Sequence, residues 1–268
     1  SEECSRSLLG SVRTLICLQD LQLESCTEYE GVLELKGLLQ LSAQNHLINL
    51  MVSGINMSFE QSKSLCDSIR VLTHLQILEI ANISLSNGSI DLRNLTRLTS
   101  LIMKEVRMSV ECRRSLCTSI NECTKLREIR LSDFQLFDGV LDLSKLIRLT
   151  SLTLNSLSLT PECSRSLCRS ISVCTCLESL NLSEINLYDG VLDLKRLGNL
   201  TTFSQKNVLW SYESRCILKE SLKHCPKLME SNIEIKDYTS NFGDADDQDS
   251  CMNCDINGRM TNICCCCM

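Results

Sequence analysis

TPECSRSLCRSISVCTCLESLNLSEINLYDGVLDLKRLGNLTTFSQKNVLW, which spans Thr160–Trp210, is one copy of a pattern that recurs along this chain of 268 residues. The same 51-residue pattern can be laid without a gap over Ser109–Leu159 and over Ser58–Met108. Ser1–Met57 fits as a fourth copy with an insertion, and a fifth copy begins at Ser211. Repetition at a fixed period indicates a stack of similar units, each packed on its neighbours, in place of one compact core.

Each copy has two halves, and each half carries the spacing Leu-x-x-Leu-x-Leu or a close variant. The copy quoted above contains Leu177-Glu-Ser-Leu180-Asn-Leu182 and then Leu200-Thr-Thr-Phe203-Ser-Gln205. From Leu47 onward the first leucine of the motif recurs at alternating steps of 28 and 23 residues. The nine first leucines are Leu18, Leu47, Leu75, Leu98, Leu126, Leu149, Leu177, Leu200 and Leu228. A repeat of about 20–29 residues built on this motif is typical of the leucine-rich repeat, in which each unit adds one strand to a parallel sheet.

A helix is predicted before every second strand, where Ser or Thr is followed two residues later by Glu. Ser and Thr are good N-cap residues, and an acidic first turn meets the positive end of the helix dipole. The predicted N-caps are Ser1, Ser58, Ser109, Thr160 and Ser211. Pro161 also suits the first helical position.

Within these helices, apolar residues recur at every fourth position, as Cys112, Leu116 and Ile120 do. That spacing predicts one buried stripe on each helix. The arginines fall largely outside the stripe and are expected to face solvent: Arg113, Arg114, Arg165 and Arg169.

The second half of each copy has a glycine and then a short apolar segment in place of a helix. Gly31, Gly88, Gly139 and Gly190 share one register, and we expect a turn with positive φ to be the reason. Val191-Leu-Asp-Leu194 is too short for a full helix and predicts an extended or 3₁₀ segment. The chain is therefore predicted to be an α/β leucine-rich repeat solenoid, a horseshoe with a parallel concave sheet and alternating helical and short convex segments.

The forms Cys123-Thr-Lys-Leu126 and Cys174-Thr-Cys-Leu177, with the outer helices and the alternation, resemble the ribonuclease-inhibitor class of leucine-rich repeats. This class is found in the sensor end of NACHT-type innate immune receptors, in ribonuclease inhibitors and in F-box proteins. The chain departs from it where the family often has Asn after the strand, because the residues here are Ile83, Phe134, Leu157 and Ile185. An apolar row is expected to replace the hydrogen-bonded asparagine row.

The cysteines and the charge bear on the compartment and on the partner. Eight of the 19 cysteines recur at 51-residue intervals, as Cys66, Cys117 and Cys168 do, which is typical of small buried side chains and favours a reducing, cytoplasmic compartment. Six N-x-S/T sequons, at Asn56, Asn82, Asn87, Asn94, Asn181 and Asn199, leave a secreted protein open as the alternative. A net charge of −6 argues against a nucleic-acid partner.

The repeats are predicted to occupy residues 1–236, and residues 237–268 are predicted to form an acidic, cysteine-rich and disordered tail. The tail contains Cys251-Met-Asn-Cys254 and ends in Cys264–Cys267 followed by Met268. A metal site, reversible lipidation and an unstructured tail without a specific function are three open readings. Contact with a membrane is expected only if the tail is lipidated.

No pattern of catalytic residues stands out, since the three histidines fall at different registers and no phosphate-binding loop or nucleophile elbow occurs. We therefore expect no enzyme, no cofactor and no bound metal. Function is expected on the concave face, where the copies differ while the leucines stay constant. The candidate protein-binding residues are Gln76, Glu79, Lys104, Arg127, Glu128, Arg130, Asp133, Asn155, Glu178, Asn181 and Glu184.

Three functions compete at this stage. The resemblance implies the ligand-sensing or autoinhibitory region of a larger intracellular NACHT-type receptor, with a protein, a peptide or a pathogen-derived ligand as partner and other domains in a longer chain. A free-standing inhibitor or adaptor of the ribonuclease-inhibitor or F-box type is the second. A secreted or surface recognition protein is the third.

Overall fold

The structure, a computed structural model, describes residues 18–24, 46–85, 88–136 and 139–236. Most of the first copy and the whole predicted tail lie outside the described residues. Nine strands in the described ranges form one open parallel sheet in which the order of the strands follows the chain. They are β1 (Asp20–Glu24), β2 (Asn49–Ser53), β3 (Ile77–Leu85), β4 (Ser100–Met108), β5 (Glu128–Leu136), β6 (Ser151–Leu159), β7 (Ser179–Ser183), β8 (Thr202–Lys206) and β9 (Ile233–Lys236).

Equivalent residues of the repeats stand side by side across this sheet. Leu78 pairs with Leu101, Leu101 with Ile129, and Ile129 with Leu152. These side chains are fully buried, as are the first leucines of the motif from Leu75 to Leu200. The alternation of apolar and polar residues therefore places one face of each strand in a core that runs along the whole stack. The fold is a leucine-rich repeat solenoid, and the prediction of its class is confirmed.

Four helices follow every second strand within the described residues, and each begins where the sequence predicts. They are α1 (Phe59–Val71), α2 (Val110–Ile120), α3 (Pro161–Ile171) and α4 (Tyr212–Leu222). The side chains of Ser58, Ser109, Thr160 and Ser211 each accept a hydrogen bond from the backbone N–H three residues later. At Ser58 the backbone N–H also donates to the side chain of Gln61, which completes a capping box.

The predicted stripe of each helix packs against the core, and three of the four named arginines are exposed. Cys112, Leu116 and Ile120 of α2 are buried. Arg113 differs from the prediction, because it is half-buried and its Nη1 donates to the carbonyl of Met108 at 2.8 Å. This arginine therefore helps to close the turn that leads into α2.

The second half of each unit has no helix in the described residues and runs as an extended segment with short turns. In the three copies that the structure describes here, one Asp fixes this segment by accepting a hydrogen bond from the backbone N–H two residues later. The three bonds run from Arg93 to Asp91 (3.1 Å), from Ser144 to Asp142 (2.9 Å) and from Lys195 to Asp193 (3.0 Å). The extended alternative of the prediction is confirmed. We call Gly88–Asp91 and its equivalents, Gly139–Asp142 and Gly190–Asp193, the thin segments.

The reason predicted for the glycines is wrong. Gly88, Gly139 and Gly190 do not have positive φ, and close packing against the preceding helix is what excludes a side chain there. A Cβ on Gly88 would lie 2.2 Å from the Sγ of Cys66 and 2.9 Å from its Cβ. The equivalent distances to sulfur are 2.8 Å from Gly139 to Cys117 and 2.4 Å from Gly190 to Cys168. Glycine and cysteine thus recur together because the cysteine sulfur occupies the space that a side chain on the glycine would need.

The apolar residues predicted for the position after the strand motif are all buried. The apolar row consists of Ile55, Ile83, Val106, Phe134, Leu157, Ile185 and Val208. The periodic cysteines are also buried, and the ten cysteines in the described part of the chain carry free thiols. Trp210 is 5% exposed and donates from Nε1 to Oε1 of Gln205 at 3.0 Å. Gln205 is itself buried where other repeats have leucine or another apolar residue, so the indole supplies the hydrogen bond that its amide needs.

Candidate functional site

The eleven residues predicted for partner binding are all accessible, and the structure divides them into three groups. Gln76, Arg127 and Glu178 lie just before their strands and are exposed. Asp133 and Glu184 are exposed at the carboxyl ends of the motif. The remaining six lie along the strands on the face opposite the core: Glu79, Lys104, Glu128, Arg130, Asn155 and Asn181. We keep the name concave face for this polar side of the sheet.

The register brings the centre of the predicted site together on β5, β6 and β7. Arg130 pairs with Thr153, and Thr153 pairs with Asn181. Before these strands, the backbone N–H of Thr150 donates to Arg127, and that of Glu178 donates to Thr150. Since parallel strands lie about 4.8 Å apart, Arg127 and Glu178 are about 10 Å apart across the sheet. One partner of ordinary size can therefore contact the whole group.

A small network holds the charged side chains at the centre of this site. Oε1 of Glu128 accepts from Nε of Arg130 at 2.7 Å, and Oε2 accepts from the hydroxyl of Ser100 at 2.9 Å. The ion pair is solvent-exposed at the arginine and contributes little stability. It orients the guanidinium, however, so that its remaining N–H groups stay available on the concave face.

Next to these charged residues, β6, β7 and β8 carry a group of small uncharged polar side chains. Thr153 and Asn181 stand beside Ser204, and Asn155 stands beside Ser183, whose hydroxyl donates to its amide oxygen. One further row consists of Ser151, Ser179 and Thr202. These hydroxyl and amide groups can donate and accept hydrogen bonds without the desolvation cost of a charge. Of these residues, only Asn155 and Asn181 were predicted from the sequence as binding residues.

Sequence reasoning missed a column of left-handed residues at the carboxyl edge of the sheet. One residue in each repeat from β2 to β8 has φ between 50° and 65°: Gly54, Asn82, Glu105, Asp133, Ser156, Glu184 and Asn207. We call these seven residues the left-handed column. Asn, Asp and Gly tolerate this conformation, and their recurrence at one register was the available signal. Two predicted site residues, Asp133 and Glu184, owe their outward position to this bend, and the hydroxyl of Ser156 donates to Oε2 of Glu184 at 2.8 Å.

A groove of about 740 Å³ opens along the left-handed column between β2 and β5. Its polar lining includes Asn56, Asn82, Ser84, Glu105, Arg107, Arg113, Asp133 and Gln135. Of the predicted site residues only Asp133 reaches it. The candidate site is therefore the concave face together with the edge at which its strands turn toward the helices.

The described ranges contain no group of three or more His, Cys, Asp and Glu side chains that could hold a metal ion. In the same ranges no helix is long and apolar enough to cross a membrane. Of the predicted sequons, Asn56, Asn82 and Asn94 have exposed side chains, while Asn181 and Asn199 are half-buried. Nδ2 of Asn199 donates to the carbonyl of Thr175 at 3.1 Å, which gives this amide a structural role.

No protein-family model and no curated protein matches the chain. Among solved structures, a leucine-rich repeat protein of Leptospira interrogans is similar, with 17% identity and a TM-score of 0.46. The match covers 84% of this chain and 57% of that one, so the chain spans little more than half the length of this neighbour. An internalin of Listeria monocytogenes has 12% identity and a TM-score of 0.27, with 88% of each chain covered.

Proposed function

We propose that this chain is a protein-binding module whose concave face, centred on Arg127, Arg130, Asp133 and Glu178, contacts a protein or peptide partner. The observation that carries the proposal is the contrast between the two faces of one sheet. The core face keeps Leu or another apolar residue in nearly every repeat, whereas the concave face changes from charged to uncharged polar residues between neighbouring strands. A constant scaffold beneath a varied, accessible surface is the arrangement that recognition requires.

The chemistry of the face favours a folded or extended polypeptide with charges of both signs. Two arginines lie among Glu128, Asp133 and Glu178, so neither a purely acidic nor a purely basic surface matches the site. The neighbouring hydroxyl and amide side chains on β6 and β7 can satisfy backbone groups of the same partner. Side chains fixed on a rigid sheet lose little freedom on binding, which favours affinity.

For the context of this module we propose the ligand-sensing or autoinhibitory region of a larger cytoplasmic NACHT-type innate immune receptor. The sequence resemblance, the buried free thiols and the solenoid support this context. A phosphate-binding loop in the sequence upstream of Ser1 would distinguish it from the alternatives. An F-box there would favour the adaptor, and a signal peptide the secreted recognition protein, whose sequons would then be open to glycosylation.

The test of the binding face uses two charge reversals, Arg127→Glu and Arg130→Glu. A partner is first captured with the wild-type chain and identified, and its affinity for each purified variant is then measured. Loss of a desolvated charge pair at an interface weakens binding by about 30-fold or more, which corresponds to about 2 kcal/mol. The melting temperature of both variants should stay within about 2 °C of the wild type, because exposed substitutions change stability little.

The matched control is the reversal of Arg165 and Arg169, which are exposed on α3 away from the concave face. Unchanged affinity in this control, with loss in the two face variants, supports the proposal. Full binding by the face variants together with loss in the α3 variants would move the site to the convex helices and overturn it.

A further inference from the structure

Three basic side chains stand side by side at the amino edge of the sheet, in the turns that lead into β4, β5 and β6. Each turn is closed by a hydrogen bond of 2.9–3.0 Å from the backbone N–H of a buried leucine to the carbonyl three residues earlier. The residue just before that leucine is Arg97, Lys125 or Arg148. Since the strands are in register, neighbouring members of this row lie about 4.8 Å apart. Arg127 extends the group toward the concave face, and we call these four residues the basic edge.

The four side chains of the basic edge are exposed, and none of them forms an ion pair with another described residue. Carboxylates close to these cations in the sequence are paired with other cations, in the ion pairs Glu122–Lys145, Glu128–Arg130 and Asp91–Arg93. The edge therefore carries four positive charges that the described part of the chain does not neutralise. Because these charges repel one another, an anionic partner is favoured there.

A large apolar side chain lies beside these charges. Ile147, which precedes Arg148, is 62% exposed, whereas the equivalent residues in the neighbouring copies are Thr96 and Gly198. An exposed isoleucine next to a row of cations offers an apolar contact in addition to charge. The surface thus fits a segment that combines carboxylates with an aromatic or aliphatic side chain.

A segment of this kind occurs in the same chain, beyond the described residues. Residues 237–268 contain six aspartates and one arginine, which is −5 of the net charge of −6. Four of these aspartates fall within Phe242-Gly-Asp-Ala-Asp-Asp-Gln-Asp249, which begins with a phenylalanine. The excess negative charge of this protein is therefore concentrated in one segment, which is complementary in charge to the basic edge.

The chain between the last strand and this segment is long enough to reach the basic edge. β9 ends at Lys236, which through β8 and β7 is in register with Asn155 of β6. Arg148 lies seven residues before Asn155 and three strands away from β9, a distance of about 27 Å. Ten residues lead from Lys236 to Asp246, and ten extended residues span about 33–36 Å. Asp246 and the aspartates after it can therefore reach the basic edge across the concave face.

We propose that the basic edge is the docking site of the chain's own acidic segment, Phe242–Asp249, which pairs its carboxylates with the four cations and places Phe242 against Ile147. Exposed ion pairs are weak one at a time. A tethered segment, however, has an effective concentration of about 1 mM, so a millimolar affinity keeps the site occupied about half of the time. Docking covers Arg127 and competes with a partner on the concave face. This competition rests on the proposed function, whereas the docking itself does not.

The experiment treats the full chain, under reducing conditions, with a carbodiimide, which joins a carboxylate to a lysine amine when the two are in contact. Cross-linked peptides are quantified by mass spectrometry, and each yield is normalised by the coupling of the same lysine to free acetate. Lys125 is the lysine of the basic edge. Lys227 is the matched control, because it is exposed, occupies the same turn position two copies later and lies only 17 residues before Asp244. Docking should make the segment couple to Lys125 about fivefold or more above Lys227, whereas a tether alone favours the nearer Lys227.

Charge variants test whether the basic edge causes this preference. Reversal of Arg97 and Arg148 to glutamate should lower the Lys125 yield about fivefold or more, and about 0.5 M NaCl should also lower it, because exposed ion pairs are screened. Ile147→Thr, which supplies the residue found at position 96, should lower the yield by a smaller factor. Reversal of Arg165 and Arg169 on α3 is the control and should leave it unchanged. In urea the preference should change to Lys227, since only the separation along the chain then determines the yield.

A mixture of isotopically labelled and unlabelled chains distinguishes docking within one chain from docking on a second copy. Cross-links at Lys125 between labelled and unlabelled chains would overturn the proposal, as would a preference for Lys227 or a yield that the Arg97 and Arg148 reversals leave unchanged. These measurements need no partner, so failure of docking leaves the proposed binding face standing. Replacing Asp244, Asp246, Asp247 and Asp249 by asparagine should raise the affinity for the identified partner about twofold, as expected when half of the molecules are blocked. Equal affinities would refute the competition.

Discussion

The packing of glycine against cysteine leads to a prediction about Gly139→Ala. A Cβ at this position would lie 2.8 Å from the Sγ of Cys117, and its other two nearest atoms are both at 3.4 Å, which is close to an ordinary contact. Nearly all of the strain therefore comes from one atom pair. Overpacking in a well-packed core costs about 1–3 kcal/mol, and we expect Gly139→Ala to lower the free energy of unfolding by that amount.

The strain should be relieved by removing the sulfur. Cys117→Ala alone loses the burial of one heavy atom, at about 1 kcal/mol. In the double variant the new methyl group occupies space that the sulfur vacates, so the two costs should not add. We expect a coupling free energy of about 1–3 kcal/mol between the two substitutions.

Gly198→Ala is the matched control, because a Cβ there would have nothing within 4 Å. It should be neutral or stabilise by about 0.4–1 kcal/mol, since alanine restricts the unfolded chain. All four variants are compared with the wild type by equilibrium urea unfolding monitored by circular dichroism. If Gly139→Ala costs no more than Gly198→Ala, or if the double variant is additive, then packing is not the reason that glycine recurs.

Three further predictions concern single sites. Trp210→Phe should lower the free energy of unfolding in urea by about 1–3 kcal/mol, because the buried amide oxygen of Gln205 loses its hydrogen-bond donor. Adding Gln205→Leu should recover part of this loss. Glu105→Gly should stabilise the chain by about 0.5–1 kcal/mol in the same assay, since glycine avoids the left-handed strain of φ 52°, whereas Glu105→Val should destabilise it. The hydrogen bond from Arg93 lowers the pKa of Asp91 in the folded chain. The ionised carboxylate therefore stabilises the fold above the pKa that Asp has in the unfolded chain, about 3.9, and this stabilisation is lost as the pH falls through the lower pKa of the folded chain. The gap in melting temperature between wild type and Asp91→Asn should therefore narrow between pH 7 and pH 3.

The parts of the fold that were predicted correctly are those that depend on local chemistry repeated many times. The strands followed from the leucine spacing, because only one face of each strand can be buried. The helix starts followed from a hydroxyl at Ser58, Ser109, Thr160 and Ser211, which each supply a missing hydrogen bond to the first turn. The leucine spacing and the N-cap hydroxyl each involve residues only a few positions apart, so both can be recognised in the sequence alone.

The parts that were missed depend on contacts between units. The glycine register was visible, but its cause is the sulfur of a helix about 22 residues earlier in the chain, as Gly139 and Cys117 show. The left-handed column was hidden because Glu105, Ser156 and Glu184 are not residues that usually adopt positive φ. The candidate site was predicted as a set of exposed residues, but the contacts among these residues depend on the strand register, which the sequence does not show.

The left-handed column lies where the thick units, which contain a helix, adjoin the thin units, which do not. Beyond the column, pairing continues in each 23-residue step, from Ile83 with Val106 to Asn186 with Leu209. In the 28-residue steps the strands stop pairing before they reach the column, and between β4 and β5 the last pair is Lys104 with Ser132. A helix is about 10–12 Å across, which is more than twice the spacing of the strands. Each helix therefore also covers the thin segment of the following unit, and the strands on either side of the helical unit are held apart at the carboxyl edge. Glycine in the thin segment makes this overlap possible, and the groove beside Glu105 and Asp133 opens where the strands part. The alternation of 28 and 23 residues therefore produces both the packing of glycine against cysteine beneath the helices and the polar groove at the carboxyl edge.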